Sequence, residues 1–219
     1  MDKDKIIIYL LSALVIITVF NQFQIFGLSK NSDLSTESTR EGTGLVTGIR
    51  DVSALDIVPK GIPEIYGKEL GISYDDVSLN DPKKADLTIR KLAIFDVNLN
   101  MTSKNLERYI KITNSISCEY CCGAEAITFQ NGQSACGCTH SFAMRGLAKY
   151  LLTEHPEISD DAILEELGKW KTLFFPDTLN AKASVLKDQD IELNYINIAS
   201  NKYRGIEQGS AQGGMVGGC

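Results

Sequence analysis

The chain has 219 residues, 43% of them hydrophobic and 23% charged, a composition that folds and leaves room for one ordinary domain plus a membrane anchor. Its net charge is −6 with no dense stretch of lysine and arginine, which excludes a protein whose affinity comes from neutralising nucleic-acid phosphates. Of its six cysteines, five fall between Cys118 and Cys138 and the sixth is Cys219.

Residues 6–20 read IIIYLLSALVIITVF, and an uncharged stretch continues to residue 28. About 20 such residues cross a bilayer core as a helix, so residues 1–28 are expected to hold one transmembrane anchor in contact with lipid. A cleaved signal peptide is the alternative, but no small-x-small site follows the run. Lys3 and Lys5 on a short N-terminal tail favour a signal-anchor, with the C-terminal domain outside the cytoplasm. Residues 29–48 are rich in Ser, Thr and Gly and read as a flexible linker. A cysteine-cluster helical domain is expected over 49–204, followed by a Gly-rich tail, 205–219, ending in Cys219.

Pro59, Pro63 and several glycines make residues 52–77 an irregular entry segment of loops, turns and short strands. Asp81 before Pro82 pairs an N-cap with proline at the first helical position, which predicts a helix over 81–96 with Leu87, Ile89, Leu92 and Ile94 as its apolar residues. Thr102 or Ser103 caps a second helix to about residue 115. A third runs over 139–152 and carries His140 in its first turn. Ser159, with Asp160 and Asp161 behind it, opens a fourth that buries Ile163, Leu164, Leu167 and Trp170 and stops at Pro176. One or two more helices fall between 178 and 202. The expected fold class is therefore mainly α: an N-terminal transmembrane helix, then a small helical domain holding a short metal-binding β-hairpin of the zinc-knuckle kind.

The cluster itself reads ISCEYCCGAEAITFQNGQSACGCTHS. It holds C-x-x-C at Cys118 and Cys121, then Cys122, C-x-C at Cys136 and Cys138, and His140. The Asn131-Gly132 step between the two thiol groups is a hairpin signal, and a hairpin brings its ends together. Two thiol-bearing turns joined this way place soft ligands around one ion. Zinc is the first choice, on Cys118, Cys121, Cys136 and Cys138, with Cys122 or His140 competing for a position. That surplus of candidates leaves copper(I) or an iron–sulfur cluster open. Disulfides are the bland alternative outside the cytoplasm, and pairing across the hairpin is feasible. Met144 reads as core and His155 as a helix-end residue. Cys219 is free to return to the cluster, cross-link another chain or stay exposed.

The stretches CEYCCGAEAITF, ACGCTHSFAMRGLAKYLL and EELGKWKTLFFP resemble a group of membrane-anchored proteins of archaeal type, of unassigned activity, over roughly residues 62–176. That resemblance implies no catalytic residue. No P-loop, G-x-G-x-x-G, H-E-x-x-H or G-x-S-x-G is present. The leading expectation is a noncatalytic, membrane-anchored metal-binding protein with a structural or metal-handling role. The enzymatic alternative is a thiol–disulfide redox protein using Cys118 and Cys121, and iron–sulfur electron transfer is a third reading.

Overall fold

The computed structural model describes residues 56–208 and 215–217, all of which belong to one unit, Ile49–Cys219. The expected anchor and linker lie outside the described residues. Among the described residues no helix is long and apolar enough to cross a membrane.

The described chain is mainly α, as expected. A one-turn helix α1 (Gly67–Leu70) and a 3-10 turn (Tyr74–Asp76) precede α2 (Pro82–Asn98) and α3 (Ser103–Asn114). A one-turn α4 (Glu119–Cys122) carries the first thiols, and α5 (Thr139–Glu154), α6 (Asp160–Phe174), α7 (Pro176–Asp188) and α8 (Tyr195–Ala199) follow, with a 3-10 turn at Asn201–Tyr203. The caps explain these starts. Asp81 accepts from the Lys84 amide ahead of Pro82, Ser159 accepts from the Ala162 amide, and Asn194 accepts from the Asn197 amide. Pro176 both ends α6 and opens α7, because a proline lacking its amide hydrogen is harmless at a first helical position.

Helices α5 and α6 are central. Along α5 eleven residues are buried, from His140 to Leu152, and α6 buries Ile163, Leu164, Leu167, Trp170 and Phe174 among others. Helix α2 lies on α5 through Ala85, Thr88, Ile89 and Leu92, while Leu87 and Ile94, expected with them, are exposed. Two glycines set the approach of neighbouring chains: a Cβ on Gly146 would lie 2.0 Å from the Leu92 carbonyl oxygen, and one on Gly168 would lie 2.7 Å from that of Tyr195. The entry segment is tied down rather than loose. Trp170 Nε1 donates to Tyr66 Oη at 2.6 Å, and the Tyr66 and Tyr74 hydroxyls donate to Glu166 at 2.8 and 2.6 Å.

One element differs from expectation. No β-strand forms among the described residues, and the segment between the thiol groups makes only an isolated antiparallel bridge, Thr128 with Ser134. The Gly132 amide donates to the Phe129 carbonyl at 2.9 Å and Gly132 has φ of +81°, so the Asn-Gly step closes a tight turn with glycine in the left-handed position. Two backbone bonds cross the turn, from the Phe129 amide to Gln133 at 2.8 Å and from the Ala135 amide to Ile127 at 3.2 Å, and side chains add to them: Thr113 and Thr128 hydroxyls lie 2.6 Å apart, and Arg145 reaches two carbonyls of the segment.

Candidate metal centre

Each thiol is placed by a different local device. The chain leaving α3 is pinned to the end of α8, where Ile116 bridges Ser200 and the Ser117 hydroxyl donates to Asn201 at 2.7 Å. This delivers Cys118 fully buried, as the cap of α4. Gly123, at φ +68°, terminates that turn, and Arg204 donates to the carbonyls of Gly123 and Ala124 at 3.0 Å each. On the other side Cys138 caps α5, its Sγ accepting from the Ser141 amide at 3.4 Å. His140, in the first turn of α5, is fully buried against Phe174 and Phe175.

The His140 ring is oriented by the returning tail. Its Nε2 lies 2.7 Å from the Val216 carbonyl oxygen, and the Val216 amide donates to Phe174 at 2.8 Å. A carbonyl only accepts, so Nε2 carries a hydrogen and donates it. The ring's Nδ1 is buried and has no hydrogen-bond partner. Cys118, Cys121, Cys138 and His140 each bring one ligand atom into a group whose members all lie within 4.8 Å of one another.

Cys118 and Cys138 are the free thiols among the described residues, with Sγ atoms 3.4 Å apart. The hydrogen bond between them pushes Cys118 up and, with hydrogen bonds to Ser141, draws Cys138 down to about 3 against the effect of burial. The two thiols therefore do not lose their protons together. Cys122 and Cys136 are joined by a disulfide across the turn, and Cys121 is also held in a disulfide rather than free. A second group, Cys122, Cys136 and Cys138, likewise lies within 4.8 Å and shares Cys138 with the first.

All six residues singled out from the sequence therefore converge, but in two groups. Of the four-thiol set Cys118, Cys121, Cys136 and Cys138, the pair Cys118 and Cys121 together with Cys138 meets His140, and Cys136 sits with Cys122. The pairing of Cys118 and Cys121 expected of a redox C-x-x-C is replaced by Cys118 with Cys138. Met144 is core, and His155 caps the end of α5 beside Glu69. Cys219 lies outside the described residues. Sequence reasoning missed Val216, whose carbonyl orients His140, and Arg145, whose buried guanidinium donates to the Cys136 carbonyl at 2.8 Å. Nothing local marks either one, since both act through contacts distant in sequence.

Beneath α4 lies a buried charge cluster. Lys171 donates to Glu119 and to the Ala199 carbonyl, both at 2.9 Å; Lys182 and Arg204 pair with the same carboxylate, and Lys182 also pairs with Glu207, which accepts from the Tyr120 hydroxyl at 2.8 Å. Burial pushes Lys171 down to about 8 although Glu119 opposes the shift. An unfolded lysine titrates near 10.4, so above about pH 8 the unfolded chain binds more protons than the folded one and stability rises with pH. Above about pH 10 the buried tyrosines, Tyr66, Tyr74 and Tyr120, whose hydroxyls are raised chiefly by burial, reverse the trend. The raised Cys118 thiol opposes this rise in the same window, so the difference between variants isolates Lys171: between about pH 8 and 9.5 the urea midpoint of Lys171→Met is expected to rise less with pH than that of the parent chain. Parallel pH dependences in the two contradict the assignment.

What fold and site define together is a mainly α domain carrying a buried thiol–imidazole cluster able to hold a metal ion. No family model matches the chain, and no curated protein or solved structure matches it either.

Proposed function

We propose that the chain is a membrane-anchored, noncatalytic zinc protein whose ion is held by Cys118, Cys121, Cys138 and His140, on a domain facing away from the cytoplasm. The observation that carries this reading is His140: a buried Nδ1 without a partner, beside two cysteines, with its other nitrogen fixed on a backbone carbonyl. That arrangement of the outer nitrogen is how metal-binding histidines are oriented. Tetrahedral zinc with metal–sulfur distances of about 2.3 Å sets its sulfurs about 3.8 Å apart. Cys118 and Cys138 at 3.4 Å need little adjustment. Cys121 joins as a thiolate once a dithiol reductant has opened its disulfide by exchange, passing two electrons and two protons to Cys121 and its partner sulfur while the reductant closes its own disulfide, and metal binding then expels the protons that the ligand thiols carry.

The ion would tie α4, the start of α5 and the returning tail together, so its binding free energy becomes folding free energy. An iron–sulfur cluster normally uses four thiolates, whereas this group offers three and an imidazole. Thiol–disulfide exchange is the second reading, favoured by the 3.4 Å approach of Cys118 and Cys138. Burial of both sulfurs works against it, because reactive thiols sit where a partner disulfide can reach them.

The test is metal content. The full chain, recovered untagged from the membrane fraction in detergent under anaerobic conditions, is expected to hold about one zinc per chain by plasma mass spectrometry. Cys118→Ser and His140→Ala are expected to lose it, and Cys121→Ser to retain it at least tenfold more weakly. A folded chain without metal, in which Cys118 and Cys138 resist alkylation after denaturation, would mean a further disulfide and sink the zinc reading.

A further inference from the structure

We infer a second metal position, built from Cys122, Cys136 and Cys138, that opens when the Cys122–Cys136 disulfide is reduced and takes a soft monovalent ion, copper(I). The inference rests on the zinc reading, because Cys138 would then bridge the two ions.

Three sulfurs within 4.8 Å of one another, with no oxygen or nitrogen donor among them, favour a low-coordinate thiophilic ion. Each of the three is held by contacts that do not depend on the disulfide. The Arg145 guanidinium donates to the Cys136 carbonyl at 2.8 Å and to Ile127 at 3.2 Å, the Cys122 amide donates to the Cys118 carbonyl at 3.4 Å, and Cys138 caps α5. Breaking the bridge therefore leaves its two sulfurs beside the third.

The bridge also faces outward. Cys122 is exposed, and a Cβ built on either neighbouring glycine, Gly123 or Gly137, meets nothing within 4 Å. A reductant thus reaches Cys122 although the Cys118–Cys138 pair is buried. The chemistry balances with a dithiol as reductant: its first thiolate attacks the Cys122 sulfur, Cys136 leaves as thiolate, and the second thiol closes the reductant's own disulfide. Two electrons and two protons pass to Cys122 and Cys136. Copper(I) binding then releases those two protons to solvent, while Cys138 bridges as the thiolate that the zinc reading already places on the inner ion. The outer position would be available only under reducing conditions, which makes the metal capacity of the domain dependent on redox state.

The experiment uses the full chain as purified with zinc, divided into an untreated sample and one reduced with a phosphine, then desalted anaerobically. Each receives one equivalent of copper(I), and both metals are counted per chain after a second desalting. About one copper bound with zinc retained, in the reduced sample alone, supports the second position, and Cys136→Ser is expected to weaken copper binding at least tenfold while zinc stays. Copper bound only by displacing an equal amount of zinc, or no copper in either sample, overturns the second position and leaves the zinc centre standing. No zinc in the starting protein overturns the zinc centre itself and this inference with it.

Discussion

Replacing Asp96 by alanine is expected to destabilise the domain by about 3–5 kcal/mol, the range for stripping one partner from a buried ion pair. Asp96 receives Arg145 Nε at 2.8 Å, pairs with its Nη2 at 2.7 Å and with Lys149 at 2.9 Å, and the Arg145 side chain has no exposure to solvent. The alanine variant leaves that guanidinium uncompensated, which outweighs any gain from losing the carboxylate's own desolvation. Since domains are stable by only about 5–15 kcal/mol, a loss of this size is visible as a large fall in the urea midpoint. The double variant Asp96→Ala/Arg145→Met is expected to recover part of it, because the unpaired charge has gone. Arg145 also holds the Cys136 and Ile127 carbonyls, so hydrogen exchange over residues 127–136 is expected to accelerate in the single variant. A loss below about 1 kcal/mol would show that the pair is solvated in solution and contributes as little as a surface bridge.

Gly146→Ala is expected to be at least as damaging relative to its size, at about 3 kcal/mol or more. Alanine is intrinsically better than glycine within a helix by about 1 kcal/mol, so propensity alone predicts stabilisation. Packing reverses the sign. The added methyl would lie 2.0 Å from the Leu92 carbonyl oxygen and 3.1 Å from the Asp96 amide nitrogen, and backbone of α2 cannot swing aside as a side chain does. The shift would move Asp96 away from Arg145 and couple the helix contact to the cysteine-bearing turn. Gly137→Ala provides the control, since its Cβ has nothing within 4 Å, and thermal unfolding of the two variants side by side measures the contrast. Equal midpoints would mean that α2 and α5 do not approach as closely as described.

The helix starts were legible because capping is local. Asp81-Pro82 and Ser159-Asp160-Asp161 satisfy orphan amides within one turn of themselves, and the helices begin there in the structure. The apolar face of α2 was legible only in part. Leu87 and Ile94 are as hydrophobic as Ile89 and Leu92, yet they are 64% and 53% exposed, because the burying face was chosen by where Gly146 lets α5 approach. The Asn-Gly turn was legible, while no strands formed around it: backbone pairing stops after the bonds from Phe129 to Gln133 and from Ala135 to Ile127, and beyond them Arg145 takes the Cys136 carbonyl.

By itself the sequence determined which residues could meet as soft donors, because thiols and imidazole are soft donors and five of the cysteines lie within one short stretch. It determined the order and starts of the helices for the same local reason. The tertiary structure decided how those ligands are divided: Cys118 faces Cys138 and His140, and Cys136 faces Cys122. That division follows from contacts with partners far along the chain. Ser200 and Asn201 place Cys118, Arg145 with Asp96 places Cys136, and the carbonyl of Val216 holds His140 Nε2 so that Nδ1 is left for the cluster.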